Sequence, residues 1–241
     1  MNRMLEHTLL LFDLDGTLVY SGRRDSACFA KAYEQIYQKP FSSLDWRTFP
    51  HVTDHIIFGT CIQNHFQRAY TSEEEWRFKA LYMEMLQAER EREPAAFRAV
   101  PGAVALMDSL RTRYDVQLAI ATGGWREPAR IKLRHVGIDP DQLVISGGNQ
   151  MENREAIVKD AIRRIQQKNN RTIKRVVYIG DAAWDVTTSR NMNMGFVGIR
   201  HRGDVDVLKN LGASEVLQDF VSVSNFVESV LQAKPPFVKK I

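Results

Sequence analysis

The chain has 241 residues, 44% of them hydrophobic and 26% charged, and a formal net charge of +4. This composition belongs to a globular chain that can bury a real core, and it excludes disordered and collagen-like classes. No apolar stretch approaches the roughly 18 residues of a membrane span, and no basic stripe with interleaved aromatics points to nucleic acid.

The N-terminus, "MNRMLEHTLLLFDLDG", carries a short apolar run broken by Asp, which is not the pattern of a signal peptide. Cys28 and Cys61 could pair, but nothing in their spacing demands it, and no metal-type cysteine pattern is present. A soluble, cytoplasmic protein with reduced thiols is expected.

Short apolar runs read as buried parallel strands: "TLLLFDL" (8–14), "VQLAIAT" (116–122), "QLVIS" (142–146), "RVVYIG" (175–180) and "GFVGI" (195–199). Between the first two, residues 22–94 show no strand pattern. "DSACFAKAYEQIYQ" puts Ala30, Tyr33 and Tyr37 on one helical face. "TDHIIFGTCIQNHFQRAY" spaces Ile57, Cys61 and His65 by four after a Thr53 cap. "SEEEWRFKALYMEMLQAERERE" opens with Ser72 and Glu75 at capping-box spacing. From Val104 onward helices alternate with strands: "AVALMDSLRTR", then "EPARIKLRHVG" with Pro128 early and Gly137 at its end, then "REAIVKDAIRRIQQK". The alternation predicts an α/β fold with right-handed crossovers. The domain reading is a core of residues 1–20 and 95–241 with a helical domain, 21–94, inserted after the first strand. The tail "KPPFVKKI" is expected to be loose.

The first strand runs into "FDLDGT". Asp13 and Asp15 are two apart and on a strand would point the same way. Two like charges at the end of a dry strand cost free energy unless something binds there, and a magnesium ion with a phosphate answers that need. In open α/β sheets ligands bind beyond the carboxyl ends of strands.

The string "FDLDGTL" resembles the first motif of the haloacid dehalogenase superfamily. "AIATGGW" supplies the Thr of its second motif, Thr122, and "VVYIGDAAWDV" supplies the closing acids, Asp181 and Asp185. The resemblance spans the core from Leu9 to Ile199, and the helical insert resembles the C1-type cap of its phosphoglycolate phosphatase-like members. It implies a three-layer, Rossmann-like parallel-sheet core. It implies Asp13 as nucleophile and Asp15 as the acid that protonates the leaving oxygen and then deprotonates water. Magnesium would be held by Asp13, the main-chain carbonyl of Asp15, and Asp181, with Asp185 holding a metal-bound water or simply stabilising a helix N-terminus. Thr122 would donate to a phosphate oxygen, helped by the Gly123 and Gly124 amides, unless "TGG" is only a turn. The family's usual Lys is absent from its place; Arg154 in "NREAIV" is the favoured substitute. Lys159 and Lys132 are rivals, each expected to be an exposed helix residue.

Trp125 and Trp184 follow site motifs and either wall the site or pack the core, with packing preferred. His51, His55 and His65 have no convincing metal spacing. Val52 to Asp54 either face substrate across the cleft or cap a helix. The implied activity is magnesium-dependent hydrolysis of a small phosphomonoester, with a phosphosugar mutase or a non-catalytic phosphate-binding module as alternatives. Asp15 argues against a dehalogenase. Lys31 and Lys39 lack the apolar setting that an imine-forming phosphonate hydrolase needs. No nucleic-acid, membrane or obligate protein partner is expected.

Overall fold

In the computed structural model, which describes residues 2–169, 172–200 and 204–237, the first apolar run forms β1 (Thr8–Phe12), followed by β2 (Val19–Tyr20). Three helices come next: α1 (Gly22–Tyr37), α2 (Asp54–Phe66) and α3 (Ser72–Arg92). The chain returns through β3 (Arg98–Ala99), which pairs antiparallel with β2. Then follow α4 (Ala103–Arg113), β4 (Gln117–Ala121), α5 (Arg126–His135), β5 (Val144–Ser146), α6 (Arg154–Asn169), β6 (Arg175–Gly180), α7 (Ala183–Asn191) and β7 (Gly195–Ile199). The chain closes with α8 (Asp206–Asn210), β8 (Glu215–Leu217) and α9 (Val223–Gln232).

The main sheet is parallel, in the order β5-β4-β1-β6-β7-β8. Its strands are apolar throughout because both faces are covered. Leu10, Phe12, Ile120, Ile179 and Val197 point into a cluster with α4, α5 and α9. Leu9, Leu11, Ala119, Tyr178 and Phe196 point to the other face, against α6 and α7. The alternation of successive residues between the two clusters is the two-residue period of a strand. From β1 the chain winds toward β5, and from β6 toward β8, so the order reverses between β1 and β6. A crevice is expected at the carboxyl ends of those two strands.

The three helices between β2 and β3 carry their own apolar cluster, in which Phe29, Tyr33, Phe58, Phe78 and Tyr82 pack around Trp125 from the loop after β4. Trp125 is fully buried, its ring stacked on Phe29, and its Nε1 donates to Glu75 at 3.1 Å. Burial of so large an aromatic seats the helices on the sheet's carboxyl edge. The Thr53 cap forms, its hydroxyl accepting from Ile56 N. The capping box of α3 lies one residue earlier than the expected Ser72 and Glu75: Thr71 and Glu74 form it, because Glu74 rather than Glu75 reaches back to the Thr71 amide. Glu75 instead turns inward to Trp125.

The strands β2, β3 and β8 were too short for their periodicity to register in sequence. The expectation of a loose tail is corrected for residues 234–237: the Lys234 carbonyl accepts from Phe196 N, and the Pro236 carbonyl accepts from Arg190. The tail's last four positions, 238–241, lie outside the described residues. Cys28 and Cys61 are buried and unpaired. Among the described residues, no helix is long and apolar enough to cross a membrane.

Candidate active site

β1 ends at Phe12, so Asp13 and Asp15 stand in the loop beyond it rather than on the strand. Gly16, with φ +87°, turns the chain; a Cβ there would overlap the Asp181 carboxylate, so only glycine fits. The turn sends the two acids to different partners. Asp13 Oδ1 accepts from Arg154 Nη2 at 2.9 Å. Asp15 accepts from Ser21 Oγ at 2.5 Å and from Lys132 Nζ at 2.6 Å.

Asp181 follows β6, the neighbour of β1, and Asp185 sits in the first turn of α7. One carboxylate oxygen from each of Asp13, Asp181 and Asp185 lies within 4.8 Å of the others. Asp185 is fully buried and caps its helix, its Oδ2 accepting from the Asp181 and Ala182 amides at 3.1 and 3.0 Å. Its other oxygen takes Arg154 Nη2 at 2.5 Å. The cap and the charged cluster are therefore one arrangement rather than alternatives. Burial, with repulsion from Asp185 and Asp15, raises the Asp13 carboxyl to about 7 despite Arg154. Burial and the same neighbouring acids push Asp181 well above the ordinary carboxylate range. Three hard oxygen donors that resist losing their protons without a cation are a set that magnesium fits.

Arg154 opens α6 and is only 7% exposed. Nη2 also donates to the Tyr178 hydroxyl at 3.1 Å, and that hydroxyl donates to the Ala121 carbonyl. The fork is thus held by β4, β6 and α7 at once. Its Nη1 faces Gly123, where an added Cβ would stand 2.5 Å away and would also overlap the Val52 carbonyl. Gly123 is needed for this close approach. Thr122 is buried, and its hydroxyl accepts from Gly124 N at 3.2 Å, which leaves its hydrogen to donate outward.

Asp13, Asp15, Thr122, Gly123, Arg154 and Asp181 line one cavity of about 720 Å³ between the sheet edge and the helical segment. Phe29, Trp46, Val52 and Ile57 form its helical wall. Asp54 N donates to the Gly123 carbonyl at 2.9 Å, and Asp54 Oδ2 accepts from Trp125 N at 2.9 Å. The segment Val52 to Asp54 therefore both caps α2 and faces the cavity. Burial raises Asp54 to about 7.

Lys159 is exposed, as expected. Lys132 is not: it is 3% exposed and sits inside the site. The expectation of an exposed helix residue fails because position 132 falls on the apolar stripe of α5, beside Ala129 and Leu133. A lysine within that stripe was the available signal. Trp184 lines the cavity instead of packing the core, whereas Trp125 packs. Ser21, Asp25, Tyr82 and Tyr178 were not singled out from sequence, and nothing in the local pattern marks them. His55 and His65 meet tyrosine hydroxyls, Tyr70 and Tyr33, and the acidic grouping of Asp13, Asp181 and Asp185 includes no histidine. Lys31 and Lys39 are exposed.

The family profile for haloacid dehalogenase-like hydrolases matches residues 10–199. No curated protein matches the chain. Among solved structures, a hydrolase from Pseudomonas syringae is similar at 24% identity and TM-score 0.67, covering 92% of this chain and 99% of that one. CbbY from Rhodobacter sphaeroides, in complex with phosphate, is similar at 16% identity and TM-score 0.64, covering 89% and 95%. A proposed phosphoglycolate phosphatase from Lactobacillus delbrueckii is similar at 18% identity and TM-score 0.62, covering 94% and 99%.

Proposed function

We propose that this chain, which belongs to the haloacid dehalogenase-like hydrolase family, is a magnesium-dependent phosphatase acting on a small phosphomonoester. The observation that carries the reading is convergence. A buried Asp13, Thr122, Arg154 and Asp181 meet in one cavity at the ends of β1, β4 and β6, with Asp185 buried behind Arg154. Magnesium, held by Asp13, Asp181 and the main-chain carbonyl of Asp15, with Asp185 holding a metal-bound water, would neutralise charge on the phosphoryl oxygens.

An Asp13 oxygen attacks phosphorus as the bond to the ester oxygen breaks. Asp15 gives its proton to that oxygen, and the alcohol leaves. The product on the protein is an aspartyl phosphate. Asp15, now a carboxylate, takes a proton from water; the water oxygen attacks phosphorus, and Asp13 and inorganic phosphate are released. Thr122 and Arg154 Nη1 orient the phosphoryl oxygens, with Gly123 letting the backbone approach.

Residues 1–20 and 95–241 are read as the catalytic core, and 21–94 as a cap that shapes the cavity and excludes water. A cavity of about 720 Å³, partly open to solvent and walled on one side by the helical segment, is of the size that takes a small metabolite. The presence of phosphate in the CbbY structure supports the reading by analogy of fold.

A panel of phosphomonoesters, with and without magnesium, tests it. Magnesium-dependent phosphate release from a few small substrates, abolished by Asp13→Asn, is the expected result. Transfer of phosphate between sugar positions with no net release would make the chain a mutase. Turnover retained in Asp13→Asn would refute the covalent route.

A further inference from the structure

Lys132 is a buried cation to which the proposed chemistry gives no task. Its Nζ donates to Asp15 Oδ2 at 2.6 Å and to Asp25 Oδ2 at 3.3 Å. The remaining oxygens of both acids are also committed. Asp15 Oδ1 accepts from Ser21 at 2.5 Å, and Asp25 Oδ1 accepts from the Tyr82 hydroxyl at 2.6 Å. Burial works against the lysine's charge, but the Asp15 and Asp25 carboxylates more than offset this and keep it protonated. Arg154, not Lys132, meets Asp13 and the Gly123 backbone.

We propose that Lys132 is a positioning residue for Asp15: it fixes the acid–base carboxylate toward the leaving oxygen and ties that orientation to the helical segment through Asp25 and Tyr82. The inference rests on the phosphatase reading and deepens it. Asp15 lies past the end of β1, next to a left-handed glycine, so strand pairing does not fix its side chain. An aspartate there has several staggered orientations open to it. Proton transfer needs hydrogen-bond reach to one ester oxygen, and small misplacements cost orders of magnitude in rate. Ser21 and Lys132 grip one oxygen each, which leaves the carboxylate a single orientation. The chain of bonds runs from α3 (Tyr82) through α1 (Asp25) and α5 (Lys132) to the loop after β1. A shift of α1 that parts Asp25 from Lys132 therefore changes the grip on Asp15.

The test separates leaving groups. p-Nitrophenolate leaves without a proton, whereas an alkoxide from glycerol phosphate does not. Lys132→Met, and Lys132→Met with Asp25→Asn so that Asp25 is not left as an uncompensated charge, are compared with the parent chain in single turnover with magnesium. Release of glycerol is expected to slow about 100-fold and release of p-nitrophenolate by less than about threefold. Inhibition by inorganic phosphate is expected to stay within about threefold of the parent. Equal slowing of both substrates in both variants would overturn the inference and leave a structural role only. Phosphate inhibition weakened by about tenfold or more would make Lys132 a phosphate ligand instead. If the parent chain hydrolyses no phosphomonoester of the wider panel, the phosphatase reading fails and this inference fails with it. If the parent is active, only the inference is at stake.

Discussion

Removing Arg154 probes stability and function at one point. Its Nη2 serves Asp13, Asp185 and the Tyr178 hydroxyl, all three of them buried. Arg154→Met keeps the stem's packing and leaves two buried carboxylates uncompensated, a loss of about 3–5 kcal/mol when both are ionised. They need not be ionised. With Arg154 present Asp13 already titrates near 7, and Asp185 is also raised by burial, with Arg154 holding it back. An acid raised in the folded state contributes most at low pH, and its contribution falls as pH climbs from the unfolded value toward the folded one. Without the guanidinium, that fall continues to higher pH. The variant's deficit should therefore be small at pH 5 and reach its full size near pH 8.5. For a chain of this length, 3–5 kcal/mol corresponds to roughly 6–20 °C in Tm. Thermal unfolding in EDTA at both pH values measures it. The phosphate inhibition constant of the same variant should weaken about 10–100-fold, the worth of a lost charge-assisted bond. An equal Tm deficit at the two pH values, or one under about 2 °C at pH 8.5, would refute the reasoning.

Trp125→Ala should cost about 3–5 kcal/mol and loosen α1–α3 on the sheet edge, seen as faster amide exchange in those helices; unchanged exchange would mean that the ring does not seat them. Gly123→Ala should lower turnover at least about tenfold with the fold intact, because the methyl would meet the Val52 carbonyl, which as backbone yields poorly. Magnesium should raise Tm at pH 8 and not at pH 5. The ion must displace protons from Asp13, which titrates near 7, and from Asp181, also raised by burial and neighbouring acids. A magnesium shift of equal size at pH 5 would rule these carboxylates out as the ligands.

The core was legible because its signals are local. A strand covered on both faces must be apolar throughout, and five such runs alternating with helices leave few topologies. Asp13, Thr122 and Asp181 were visible because each stands directly beyond a strand end, where the chain itself points toward the crevice. Arg154 was legible by place, at the start of the helix before β6, but its grip on Asp185 was not. That contact joins residues 31 positions apart through the packing of α6 on α7.

Lys132 shows the limit. Sequence presented a lysine on a helix, and the general rule that lysines face water gave the wrong expectation. Its burial depends on α1 bringing Asp25, and the loop after β1 bringing Asp15, to one spot on α5. The capping box moved by one residue for a related reason: Thr71 and Ser72 are both N-cap residues, and Glu75 accepts from the buried Trp125 Nε1 instead of reaching back to the helix start. What the sequence alone determined was the order of strands and helices and the acids at strand ends, since those follow from periodicity and chain direction. What only the tertiary structure decided was which buried charges share a partner. The pairing energy that offsets desolvation exists only once distant segments have closed around them.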